Sequence, residues 1–189
     1  MPNLAQIEHN PPSYERGIGL YVHIPFCQTK CPYCDFNTYE RIEDQIPNYV
    51  DALMNEIKAW SDLLSRPPVR TIFLGGGTPS YLPIDDIDQI LSTIHSSYKV
   101  DESAEITLEC NPGDVTLERA SGWIGANINR VSMGVQSFND GLLALLGRRH
   151  TANEAKRAFR TLRKAGFRNQ SLDLIYGLPH QSAEQWSDT

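Results

Sequence analysis

Residues 19–37 read GLYVHIPFCQTKCPYCDFN. The first six, rich in β-branched and aromatic residues and ended by Pro25, predict a β-strand. Behind it, Cys27, Cys31 and Cys34 follow the spacing C-x3-C-x2-C, on a loop that Pro32 keeps non-helical. Three thiolates so close in sequence can converge on one metal centre. On a four-iron cluster three protein ligands leave one iron with an open position, which a catalytic rather than a structural centre needs. The same residues also admit a structural zinc knot completed by His23, or three unrelated buried thiols. The remaining cysteine, Cys110, lies within a predicted strand and reads as a core thiol.

Downstream, the strand-loop-helix order recurs. Ile46, Val50, Leu53, Met54, Ile57 and Trp60 step by three and four, predicting a helix from near Pro47 to before Pro67. Residues 69–74 predict a second strand, running into Gly75-Gly76-Gly77, and Ile84, Ile87, Ile90, Leu91 and Ile94 mark the next helix. Further strands are expected at 105–110, 130–136 and 171–176, with helices at 117–125, 140–146 and 152–165. Five strands alternating with helices predict an α/β fold, a parallel (β/α) partial barrel with its chemistry on the loops after the strand ends. A closed eight-strand barrel takes about 250 residues. This chain has 189 and stops as a helix pattern (Ser182, Glu184, Gln185, Trp186) begins. The expectation is therefore a polar lead-in over 1–18 and a core domain over 19–189, lacking its last strands and any C-terminal domain.

Composition narrows the function. With 40% hydrophobic and 21% charged residues the chain is globular, and no apolar run is long enough to span a membrane. Its N-terminus lacks the order of a signal peptide, which predicts a cytoplasmic protein. Seventeen basic against 23 acidic side chains, net −6, offer no field for a nucleic-acid backbone.

Other candidates follow from position. Gly76 and Gly77 before Thr78 leave backbone open to a ligand, although a tight turn explains them equally, and no phosphate-loop pattern is present. Glu109, Gln136 and Asp173 each fall near a predicted strand end, where helix caps and loop hydrogen bonds are common but a shared barrel mouth would gather all three. Tyr21 and Tyr33 flank the cysteines, either shielding them or acting directly. Arg148, the first of eight basic residues between 148 and 168, stands on a loop ahead of a helix, where a fixed guanidinium can pair with a carboxylate. The others read as a solvated helix face.

With the run from Tyr21 to Asn37, the motifs Gly75-Gly76-Gly77-Thr78-Pro79, Glu109-Cys110-Asn111-Pro112, Gly134-Val135-Gln136-Ser137-Phe138 and Asp173-Leu174-Ile175-Tyr176-Gly177-Leu178-Pro179 resemble the radical S-adenosylmethionine (SAM) superfamily. Within it they resemble the branch of oxygen-independent coproporphyrinogen III oxidases and HemW-type haem chaperones. The resemblance implies a [4Fe-4S] cluster on Cys27, Cys31 and Cys34 and S-adenosylmethionine on the open iron. It places Gly76, Gly77 and Thr78 at the amino-acid part of that molecule, Tyr21 at its methionine moiety and Tyr33 near its adenine. Glu109, Gln136, Arg148 and Asp173 complete the implied contacts. The oxidases carry a further cysteine where this chain has Phe36, and a longer segment ahead of the cluster than the 26 residues here. Both differences favour the chaperone class, with haem or porphyrin as the partner beside a haem acceptor and an electron donor, and leave enzymatic activity open.

Overall fold

In the computed structural model, which describes residues 16–189, the chain forms β1 (Ile18–Ile24), β2 (Phe26–Cys27), β3 (Tyr39–Glu40), α1 (Ile46–Leu63), β4 (Pro68–Gly76), α2 (Ile84–Ser97) and β5 (Lys99–Cys110). There follow α3 (Leu117–Gly125), β6 (Arg130–Gln136), α4 (Asp140–Leu145), α5 (Ala152–Ala165), β7 (Asn169–Leu174) and α6 (Ala183–Ser187). The expected lead-in falls almost wholly outside the described residues. The five long strands make one open parallel sheet, in the order β1-β4-β5-β6-β7, as the alternation of strands and helices predicts. Among the described residues no helix is long and apolar enough to cross a membrane.

Each strand alternates its side chains between two faces. One face carries Val22, Ile24, Ile72, Leu74, Ile106, Leu108, Val131, Met133 and Val135, all buried in a single core with Ile87, Ile90, Ile94, Trp123 and Leu162 from the helices. The other face is mostly polar. Register puts Tyr21, Phe73, Thr107, Arg130 and Asn169 in one row across it. Arg130 donates to the hydroxyls of Thr107 (3.2 Å) and Ser171 (2.9 Å), and Ser132 bonds Ser171 (2.8 Å) and Asp173 (3.1 Å). A closed barrel interior is filled by bulky aliphatic residues; this one is wired by hydrogen bonds toward the strand ends.

Two strands depart most from their expected bounds. β5 begins at Lys99 rather than 105, because its first half carries the exposed charges Asp101 and Glu102, which hide it from hydrophobic patterning. β7 is Asn169–Leu174, so Tyr176 lies beyond the strand. Pairing is irregular where β6 ends, between Gly134 and Gln136, and Ile175 N–H donates to the Gln136 carbonyl (3.0 Å) as the chain leaves. Trp60, counted on the α1 stripe, is half exposed with its indole N–H on Glu56, and Ser61 is buried instead, donating to the Ser97 carbonyl. The helix at 152–165 forms as predicted, opened by a capping box of Thr151 and Glu154 and closed by Gly166 at φ 124°.

Candidate cluster and cofactor site

The cysteine loop is bracketed by a ribbon that sequence reading did not anticipate. β2 and β3 pair in parallel, Cys27 opposite Glu40, so the loop leaves and re-enters at neighbouring points. Inside it, Lys30 N–H donates to Glu40 (2.7 Å), the Lys30 ammonium to the carbonyls of Phe36 and Thr38, and Cys34 N–H to the Cys31 carbonyl (2.9 Å). Cys27 is buried, whereas Cys31 and Cys34 are partly open.

The glycine run docks this loop onto the sheet. Gly77 and Thr78 N–H donate to the carbonyls of Ile24 (2.8 Å) and Phe26 (2.9 Å). A Cβ on Gly77 would stand 2.7 Å from the Phe26 carbonyl oxygen and 3.0 Å from Cys27 Sγ, so only glycine allows this approach. Gly76, at φ 118°, has the His23 ring where a Cβ would go and donates its N–H to Glu109 (3.1 Å). The missing side chains thus serve contact within the chain first. Thr78 directs its hydroxyl at Cys27 Sγ (3.5 Å).

Strand ends supply the facing wall. Glu109 closes β5, and burial lifts its carboxyl above the usual range, the Gly76 N–H opposing and the Asp173 charge adding to the shift. Gln136 sits at the irregular end of β6 with φ 67°, a left-handed backbone that re-aims its side chain. Asp173 accepts from Ser132 at the end of β7.

The turn between α4 and α5 completes the cleft. Arg148 donates from Nη2 to the Gly134 carbonyl (2.6 Å) and from Nη1 to Cys31 Sγ (3.5 Å) and the Tyr33 hydroxyl (3.4 Å). Its fork is therefore already engaged between β6 and the cysteine loop. Its Nε is buried and has no hydrogen-bond partner among the described residues. Burial raises the Tyr33 phenol, and the Arg148 charge opposes this. Arg149 reaches Gln28 and Asp114, and His150 donates from Nε2 to the Val135 carbonyl (3.0 Å).

The cleft is open to solvent on one side and encloses about 160 Å³. Of the residues singled out by sequence, Cys27, Cys31, Cys34, Tyr33, Gly76, Gly77, Thr78, Glu109, Gln136, Arg148 and Asp173 all line it. Tyr21 does not. It lies further down the polar sheet face, 60% exposed, stacked on Phe73, with its hydroxyl donating to His23 Nδ1 (3.1 Å). Lys30, Asn111, Ser132 and Arg149 also line the cleft and were not anticipated. Ser132 was readable in principle, since it shares strand parity with Gln136; nothing in the sequence separates Arg149 from its basic neighbours.

The donor set fits an iron–sulfur cluster better than a single ion. Three thiols line one wall, yet among the described residues no three His, Cys, Asp or Glu side chains are gathered tightly enough to hold one metal ion. A polynuclear cluster, in which separate irons take the separate thiolates, suits that spread. His23, the zinc-knot candidate, has both ring nitrogens committed, Nε2 to the Asn37 carbonyl (2.9 Å) and Nδ1 to Tyr21. Cys110 is buried in the core at the foot of the cleft, and burial pushes its thiol well above the usual range.

The profile of the radical SAM superfamily matches residues 21–189. The chain is 42% identical over 177 residues to the heme chaperone HemW of Haemophilus influenzae, covering 90% of this chain and 46% of that protein. It is 42% identical over 170 residues to the heme chaperone HemW of Escherichia coli, covering 89% and 45%. Among solved structures, the coproporphyrinogen III oxidase HemN of Escherichia coli, a radical SAM enzyme, superposes with a TM-score of 0.85 at 33% identity, over 93% of this chain and 41% of that one. The chain thus spans less than half the length of the curated relatives it matches.

Proposed function

The chain belongs to the radical SAM superfamily, and on that premise we propose that it is the cluster- and S-adenosylmethionine-binding part of a cytoplasmic haem chaperone of the HemW type. One observation carries the reading: three thiols on a bracketed loop face Glu109, Gln136 and Asp173 across one cleft, with Arg148 joining the two walls.

In this reading Cys27, Cys31 and Cys34 would hold a [4Fe-4S] cluster, with S-adenosylmethionine bound beside it in the same cleft. What such a pair supplies when bound is one-electron chemistry at a sulfonium centre. The chain's own side chains bind and orient. Glu109 and Asp173 give the cleft an acidic wall for an ammonium, a sulfonium or ribose hydroxyls, and Gln136 both donates and accepts there. The Arg148 guanidinium, held between β6 and the cysteine loop, would supply the positive charge for a carboxylate. Tyr33 covers the cysteine side against water. The similarity to proteins named heme chaperones supports haem as the partner, which the remainder of a full-length protein would help to hold.

The test is anaerobic reconstitution with iron and sulfide, followed by iron counting and electron paramagnetic resonance with and without S-adenosylmethionine. About four irons per chain, lost in Cys31→Ala, and a spectrum that changes with the cofactor are the expected result. Zinc in place of iron and labile sulfide would overturn it.

A second reading, oxygen-independent coproporphyrinogen III oxidase, is favoured by the superposition on the oxidase structure. Phe36, 70% exposed at the cleft, speaks against it, because that is where the oxidases resembling this chain carry a cysteine. Haem binding without decarboxylation of coproporphyrinogen by the full-length protein supports the chaperone; robust turnover supports the oxidase.

A further inference from the structure

The α4–α5 turn touches the cysteine loop at three successive points. Gly147, at φ 66°, packs so closely that a Cβ there would stand 2.8 Å from Pro32 Cδ. Arg148 reaches Cys31 and Tyr33. Arg149 places one guanidinium nitrogen on Gln28 Oε1 and the other on Asp114 Oδ1 (3.1 Å).

The Asp114 end of this last contact is a fixed anchor. Its side chain is 9% exposed, and its other oxygen accepts from the buried Ser80 hydroxyl (2.7 Å), which itself accepts from Asn111 N–H (3.1 Å). Arg119 holds the Ser80 segment in turn, through the carbonyls of Ser80 and Leu82. Two 3-10 turns after strand ends, Pro79–Tyr81 and Pro112–Asp114, are thereby locked to each other. The Gln28 end is different, being an exposed residue in the middle of the cysteine loop.

We propose that Arg149 is a positioning residue for the cluster: it couples the cysteine loop, through Gln28, to the Asp114 anchor and so holds the thiolates in their receiving arrangement. The proposal rests on the cluster reading given above. The fork of arginine is what the task needs, since two nitrogens on one rigid plane span two acceptors that a single ammonium does not. Loss of Arg149 leaves the ribbon of β2 and β3 and the sheet in place but frees the interior of the loop, so the effect falls on cluster retention rather than on folding.

The experiment uses full-length protein, reconstituted anaerobically and challenged with excess ferrous chelator. Wild type is compared with Arg149→Gln, Arg149→Lys, Gln28→Ala and the double variant Arg149→Gln/Gln28→Ala. Iron is expected to leave both Arg149→Gln and Gln28→Ala about tenfold faster, the size of effect seen when outer contacts of metal ligands are removed. The double variant should lose iron no faster than either single one, Arg149→Lys should not restore wild-type retention, and far-UV circular dichroism should be unchanged throughout. Gln28→Ala lies on an exposed loop and keeps the test decisive even where removal of the arginine impairs folding. Equal release rates in wild type and Gln28→Ala, rescue by lysine, or additive effects in the double variant would each overturn the proposal alone. A wild type that takes up no iron would overturn the cluster reading with it.

Discussion

His150 ends the turn that carries the two arginines, and the fold displaces its titration strongly downward. Burial foremost, then the Arg148 charge, lowers its pKa to about 4. In the unfolded chain a histidine takes its proton near pH 6.5. Between those values the unfolded state binds more protons, so this contribution to stability is intact above about pH 6.5 and disappears as pH falls toward 4, roughly 3 kcal/mol over the full window. Thermal unfolding from pH 7 to 4 should fall less steeply in His150→Gln, which keeps an N–H donor for Val135; identical slopes would show that the ring is charged in the folded protein. At Thr78, hydrogen bonding to a cluster thiolate raises the reduction potential. Thr78→Val should therefore assemble a cluster of normal iron content with a more negative midpoint potential in protein-film voltammetry, and an unmoved potential would mean that the hydroxyl does not reach the sulfur. The cysteines announced themselves by spacing and Glu109, Gln136 and Asp173 by lying at strand ends. Arg149 stayed hidden because the run from 148 to 168 repeats its chemistry. Only the folded chain shows Lys156 over the Phe138 ring, Arg157 beside Glu154 and Arg163 on the Arg168 carbonyl, a helix face satisfied by its own neighbours.

Strands and helices position these groups by close contact between loops. The glycine loop after β4 is the tightest case, with Gly77 pressed against the backbone on either side of Pro25 and against Cys27. Gly77→Ala must push that backbone away, an overpacking cost of about 1–3 kcal/mol. The expected result is a lower unfolding temperature together with poor iron uptake. Normal uptake at a normal unfolding temperature would show that the loop yields freely. The long amphipathic helices and the sheet strands were readable because each shows a period over many residues. The ribbon of β2 and β3 was not, since two-residue strands are too short to show any period, and the first half of β5 was masked by exposed charges.

Across the molecule, alternation of strand and helix was sufficient to predict a parallel sheet with its chemistry along one rim. What alternation does not disclose is the character of the face away from the helices, where Arg130, Thr107, Ser171, Ser132 and Asp173 form one hydrogen-bonded chain reaching the cleft. That chain arises only when strands distant in sequence are set side by side. The same distance has a temporal meaning for the cysteine loop. Cys31 and the arginine that holds it are 117 residues apart, and Gln28 and its arginine 121. During synthesis the thiols emerge early and wait, ungripped, until the ribosome has delivered the α4–α5 turn. Stalled nascent chains ending before residue 148 should be alkylated at Cys31 faster than chains long enough to have released the α4–α5 turn, in which Cys31 is only partly open. Protection in the shorter chains would mean that the loop sets without its late partners. The order of synthesis thus makes these two contacts among the last that the cysteine loop can gain, long after its own residues have left the ribosome.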